Sequence, residues 1–152
     1  MPDNNNKEKE GLKEKFVSMT KQCSPCMLFL LVLAIATSYI HPTRNTYGQE
    51  NSPLCSVLTS AIFCLCVVWS LMEAKVKYQQ KLEATQDKQA ALILGAIVGG
   101  CEGCACGFCL GWGMGCIWEW CMAPFAFGFG VAAIGGVILG VIGALRGGAS
   151  KC

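Results

Sequence analysis

The chain reads as an all-α integral membrane protein, with four transmembrane helices arranged as two hairpins and the second hairpin packed as a glycine zipper. Three observations predict this. Only 14% of the 152 residues are charged, against about 25% in an ordinary soluble domain. Apolar runs at 26–40, 54–72 and 90–145 alternate with polar links. Glycine then recurs at every fourth position through the first half of the last run. A mean hydropathy of +0.46 excludes disorder over most of the chain. A net charge of +2 is too small to suggest nucleic-acid binding.

Residues 1–25 form a polar arm in which Lys7, Lys9, Lys13, Lys15 and Lys21 are nearly balanced by Asp3, Glu8, Glu10 and Glu14. Those acids argue against a mitochondrial presequence. Residues 26–40 carry no charge, but fifteen residues fall short of the roughly 20 needed to cross a hydrocarbon core. Counting from Lys21 to His41 restores that length. The rival reading is a cleaved secretory signal with Ala34-Ile35-Ala36 as its small-residue site; a long, acidic leading region weighs against it. The 41–53 link holds Asn45, Gly48, Asn51 and Ser52, all turn formers. Residues 54–72 supply the second crossing, with Trp69 as an interfacial anchor. Residues 26–72 are therefore the first hairpin, helical because a helix satisfies its own backbone groups in lipid.

Residues 73–89 are polar, contain no proline or glycine, and read as a helical continuation into water about 25 Å long. Val76, Tyr78 and Leu82 give that linker only a thin apolar stripe, which suits a solvated helix more than a contact for a protein partner. Residues 90–145 are apolar except for Glu102 and Glu119, too long for one crossing and suitable for two. The break belongs at Trp118-Glu119-Trp120, before Pro124, where both tryptophans serve as interface anchors. This sets the third helix at about 90–117, the fourth at about 122–145, and a tail at 146–152. Eleven Lys and Arg lie in the arm, the 73–89 linker and the tail; only Arg44 lies on the other side. Both termini are thus expected in the cytosol.

The ladder is Gly95, Gly99, Gly103, Gly107, Gly111 and Gly115. The fourth helix answers with Gly128, Ala132, Gly136, Gly140, Ala144 and Gly148. Residues four apart share a helix face, and small residues there let two backbones approach closely. The ladder serves either to pack the third helix on the fourth or to form a homo-oligomer. Gly100, Gly113, Gly130, Gly135 and Gly143 fall off the two stripes as spare small surface. Glu102, near the middle of the third helix, is an intramembrane ionisable group with no basic residue in any apolar stretch to pair with it. By default it is a functional-site hypothesis, with proton or cation handling as the role. The structural reading is a protonated carboxyl bonded to a backbone carbonyl.

Cys101, Cys104, Cys106 and Cys109 form C-x2-C-x-C-x2-C, a metal-site spacing in a loop. On a helix these sulfurs spread over about 200° of circumference and cannot close a tetrahedral site. They read instead as small packing residues, as do Cys55, Cys64, Cys66 and Cys116, so neither metal nor cofactor is expected. Cys23 and Cys26 sit at the cytosolic border, where S-acylation acts. No catalytic constellation surrounds the single histidine, His41.

The polar arm, the bilobed hairpin at 26–72 and both ends on one side resemble the chlamydial inclusion membrane (Inc) protein family. That resemblance implies a type III secreted protein in the vacuole membrane of a host cell, scaffolding host proteins from its cytosolic segments. The glycine-rich second hairpin also loosely resembles the helices of the mitochondrial Tim import proteins. The function expected is non-enzymatic: self-association in the bilayer and presentation of the arm and linker to partner proteins. The alternative is a small channel or proton-coupled transporter using Glu102.

Overall fold

The computed structural model describes residues 4–118 and 122–150 and is helical throughout, with no strand among the described residues. Its elements are α1 (Asn4–Gln22), α2 (Pro25–Ile40), α3 (Pro53–Ala84), α4 (Lys88–Ile117) and α5 (Ala123–Ala149). Helix starts follow local chemistry. Ser24 and Ser52 each cap a helix whose first residue is proline, and accept from the backbone N–H of Met27 and Cys55 respectively. Asp87 caps α4 by accepting from the Gln89 N–H.

That last cap corrects the expected linker. Helix α3 does continue past the apolar run, but it ends at Ala84, and residues 85–87 form a turn. Ser, Thr and Asp compete with helix by bonding nearby backbone, so Asp87 starts a new helix although neither proline nor glycine is present.

Helix α4 is central, packing against α2, α3 and α5. Trp112 lies against Ser60 at one end of the α3–α4 contact and Glu102 against Lys75 at the other, so these helices run antiparallel. Helix α5 runs antiparallel to α4, with Gly115 against Ala123 at one end and Ala91 against Gly147 at the other. The 41–52 link, the end of α4 and the start of α5 therefore share one end of the bundle, and the ends of α3 and α5 share the other.

Among the described residues, three helices are long and apolar enough to cross a membrane: α3, α4 and α5. Their 32, 30 and 27 residues correspond to about 48, 45 and 40 Å. Helix α2 has only 16 residues, about 24 Å, and is an apolar helix below that length.

The core is built on small-residue faces. Helix α3 buries Ser56, Ser60, Cys64, Val68 and Met72, a strict every-fourth-residue stripe that the apolar count of the sequence did not single out. Against it lie Met27 and Ala34 of α2 and Phe108, Cys109 and Trp112 of α4. The buried Trp112 indole donates to the Ser60 hydroxyl at 2.9 Å, which satisfies two polar groups at once. Trp112 also meets the rings of Phe63, Phe108 and Phe125. The 41–52 link is anchored on the same stripe: the Thr43 N–H donates to the Ser56 hydroxyl at 3.0 Å. Within the link, Asn45 accepts from the N–H groups of Tyr47 and Gln49, and Gly48 supplies the left-handed φ of +76° that closes the turn.

Candidate functional site

Two features of the fold have functional content, the α4–α5 seam and a part-buried ion pair. At the seam the backbones of α4 and α5 approach closely along nearly their whole length. A Cβ added at Gly95, Gly99, Gly103, Gly107, Gly111 or Gly115 would run into the α5 main chain, at Gly143, Leu139, Gly135, Val131, Phe127 and Ala123–Pro124 respectively. Only hydrogen fits, so all six ladder glycines face α5 within one chain.

The α5 side of the seam corrects the expected stripe. Gly135, Gly143 and Gly147 abut the α4 backbone at Gly103, Gly95 and Ala91, so Gly135 and Gly143 belong to the seam rather than to spare surface. Gly128, Gly136 and Gly148 lie along its flank, where an added Cβ would meet the side chains of Phe108, Cys104 and Leu92. Gly140 is looser, with its nearest neighbour the Ala96 carbonyl at 3.4 Å. Phe127, Val131 and Leu139 offer carbonyls to the seam although their side chains are large. A pattern of small residues does not register that.

Glu102 has a basic partner from outside the apolar stretches. Lys75 Nζ donates to Glu102 Oε2 at 3.1 Å, with the two side chains 12% and 31% exposed. Lys75 lies three residues beyond the apolar run. Side chains on a helix lean toward its N-terminus, and the lysine stem covers apolar surface while carrying its ammonium back up α3. Glu102 leans toward the start of α4, so the two meet. The backbone-carbonyl partner expected for Glu102 is replaced by this pair. Cys23, between α1 and α2, is close by; burial pushes its thiol up, the Lys75 ammonium opposes that, and the Glu102 carboxylate adds to it.

Of the S-acylation candidates, Cys26 is exposed and Cys23 half-buried. Cys64, Cys109 and Cys116 pack in the core, whereas Cys55 and Cys66 face outward. Cys64 of α3 and Cys109 of α4 belong to the same buried cluster. No group of Cys, His, Asp or Glu able to hold a metal occurs among the described residues. Trp69 stacks on Phe16 with ring centroids 6.0 Å apart, and Lys15 sits 3.9 Å from Glu73, so α1 crosses α3 at the end of the apolar run. Trp118 is exposed beside Phe127; Trp120 lies outside the described residues.

Large apolar side chains are exposed around the bundle: Phe29 and Val32 on α2, Leu58 and Ile62 on α3, Val137 and Val141 on α5. Extended exposed apolar surface of this kind marks a face that meets lipid or another protein. These features define a class, an all-helical protein with three helices of membrane-crossing length and character. No family model, curated protein or solved structure matches the chain.

Proposed function

We propose that the chain is a non-enzymatic multi-pass membrane protein with four crossings and both termini on the cytosolic side, and that it offers α1 and the polar end of α3 to protein partners there. The observation that carries this reading is the apolar belt around the bundle, combined with basic residues gathered at one end of it. Contacts at Lys15–Glu73 and Phe16–Trp69 support α1 as a segment held at the bilayer border. The glycine zipper closes the second hairpin within one chain, and we give it that role in place of a self-association seam. On the resemblance to inclusion membrane proteins, the partners are host cytosolic proteins.

The test is labelling by a membrane-impermeant maleimide in sealed vesicles. In a background lacking the other cysteines, Cys26 and a Gly48→Cys variant should react from opposite sides. Reaction from the same side means that α2 does not cross, and the four-crossing reading fails.

A small channel or proton-coupled transporter is favoured by one observation, the Lys75–Glu102 pair in the bundle. Ionisable groups within membrane helices commonly mark ion pathways. Proton or cation flux that Glu102→Gln abolishes establishes that reading; absence of flux in the parent protein removes it.

A further inference from the structure

A cleft of about 250 Å³ runs along one flank of the α4–α5 seam and is not used by the function proposed above. Its floor is formed by seam glycines, which contribute no side chains. Val98, Leu139 and Ile142 wall it with hydrocarbon. Arg146 stands at one end and Glu102 at the other. Arg146 follows Ile142 by four positions and Leu139 by seven, so the cleft extends along α5 for about 10 Å or more from its cation.

The charges at the two ends are not equivalent. The carboxylate of Glu102 already holds Lys75 at 3.1 Å. Arg146 has no ion-pair partner among the described residues. The cleft therefore presents one uncompensated guanidinium at its mouth and an apolar trough leading away from it.

We infer that this cleft binds one anionic phospholipid, its phosphate on Arg146 and an acyl chain along Val98, Leu139 and Ile142. The inference rests on the membrane reading, which sets Arg146 at the depth of lipid phosphates. Guanidinium recognises phosphate through paired N–H donors, and basic pockets between transmembrane helices on the cytosolic side take acidic headgroups. Neutral lipid lacks the net charge that this mouth selects. A hydrophilic anion has no use for the trough.

The test uses the full-length chain, reconstituted in phosphatidylcholine vesicles with or without phosphatidylglycerol, extracted in mild detergent and examined by native mass spectrometry. The parent protein should retain one phosphatidylglycerol in preference to phosphatidylcholine. Arg146→Gln should lower that retention about fivefold, the worth of one basic residue beside an acidic headgroup. Ile142→Trp should lower it by filling the trough, and Lys81→Gln, which removes a cation from the polar end of α3, should leave it unchanged.

Equal retention of the two lipids, or equal retention by parent and Arg146→Gln, overturns the proposal. An equal loss in Lys81→Gln also overturns it, because the attraction would then be diffuse. Displacement by excess glycerol 3-phosphate would overturn the lipid assignment in favour of a soluble phosphate. Flotation of each variant with the vesicles separates the two levels of inference. A chain that floats but retains no phosphatidylglycerol refutes the cleft alone, and a chain that does not float refutes the membrane reading with it.

Discussion

Substituting alanine at Gly103 tests the seam most directly. The new Cβ would overlap the Gly135 carbonyl and lie 2.6 Å from its carbon and 3.0 Å from the Gly136 nitrogen. All three neighbours are backbone, so no side-chain rotation relieves the overlap and α5 must move as a unit. Overpacking costs about 1–3 kcal/mol where neighbours can adjust, and rigid backbone puts this site near the top of that range. Alanine recovers about 1 kcal/mol of helix propensity over glycine. The net loss expected for Gly103→Ala is therefore about 2 kcal/mol. Gly130 provides the control: it lies on the same hairpin, and nothing stands within 4 Å of an added Cβ. Gly130→Ala should gain up to about 1 kcal/mol from propensity alone. The two variants should thus differ by about 3 kcal/mol, more than a hundredfold in the folding equilibrium. Reversible denaturation in mixed micelles, followed by the fluorescence of the buried Trp112, measures both. Equal stabilities for the two variants would refute the argument that α4 and α5 meet through backbone.

Lys75→Met should destabilise the bundle by about 1–3 kcal/mol, because it leaves a half-buried carboxylate without its partner; Lys75→Met with Glu102→Gln should recover most of that loss in the same denaturation assay. Ser60→Ala should cost about 1–3 kcal/mol by leaving the Trp112 indole N–H buried without an acceptor, and should alter the tryptophan emission spectrum. Cys23 should react with a soluble maleimide more slowly at neutral pH than the exposed Cys26. Since burial raises its pKa, its thiolate fraction is small there, and its rate should keep rising as the pH moves above the ordinary thiol range. Mass spectrometry of singly labelled peptides reads both rates, and a faster Cys23 would contradict its placement beside Glu102.

The features legible in the sequence were those carried by periodicity. The glycines from Gly95 to Gly115 mark one face of α4 because only the absence of a side chain permits that contact, and composition records absence faithfully. The facing surface of α5 was not legible in the same way. It uses the carbonyls of Phe127, Val131 and Leu139, which any residue possesses, so the every-fourth-residue stripe of small residues fell one notch to the side. Lys75 was hidden for a different reason. Its Cα belongs to the polar segment, and only the lean and reach of its side chain bring the ammonium to Glu102. The Ser56–Met72 stripe mixes polar and apolar residues, so hydropathy blurs it although its spacing is regular. The turn at 85–87 depends on a single cap, Asp87, within a run of otherwise good helix formers.

The brevity of α2 has a consequence for where such a protein can reside. At about 24 Å it falls about 6 Å short of an average hydrocarbon core. Helices α4 and α5 exceed that thickness and can tilt to fit; α2 cannot lengthen. A fourth crossing through α2 requires the bilayer on that side to thin, at fractions of a kcal/mol for each ångström of mismatch. With α2 as a fourth crossing, the bundle would be a wedge with one short wall, better matched to thin membranes than to sterol-thickened ones. Hydrophobic mismatch at α2 would sort the chain between compartments by thickness alone, and lengthening α2 by one apolar turn should weaken that preference.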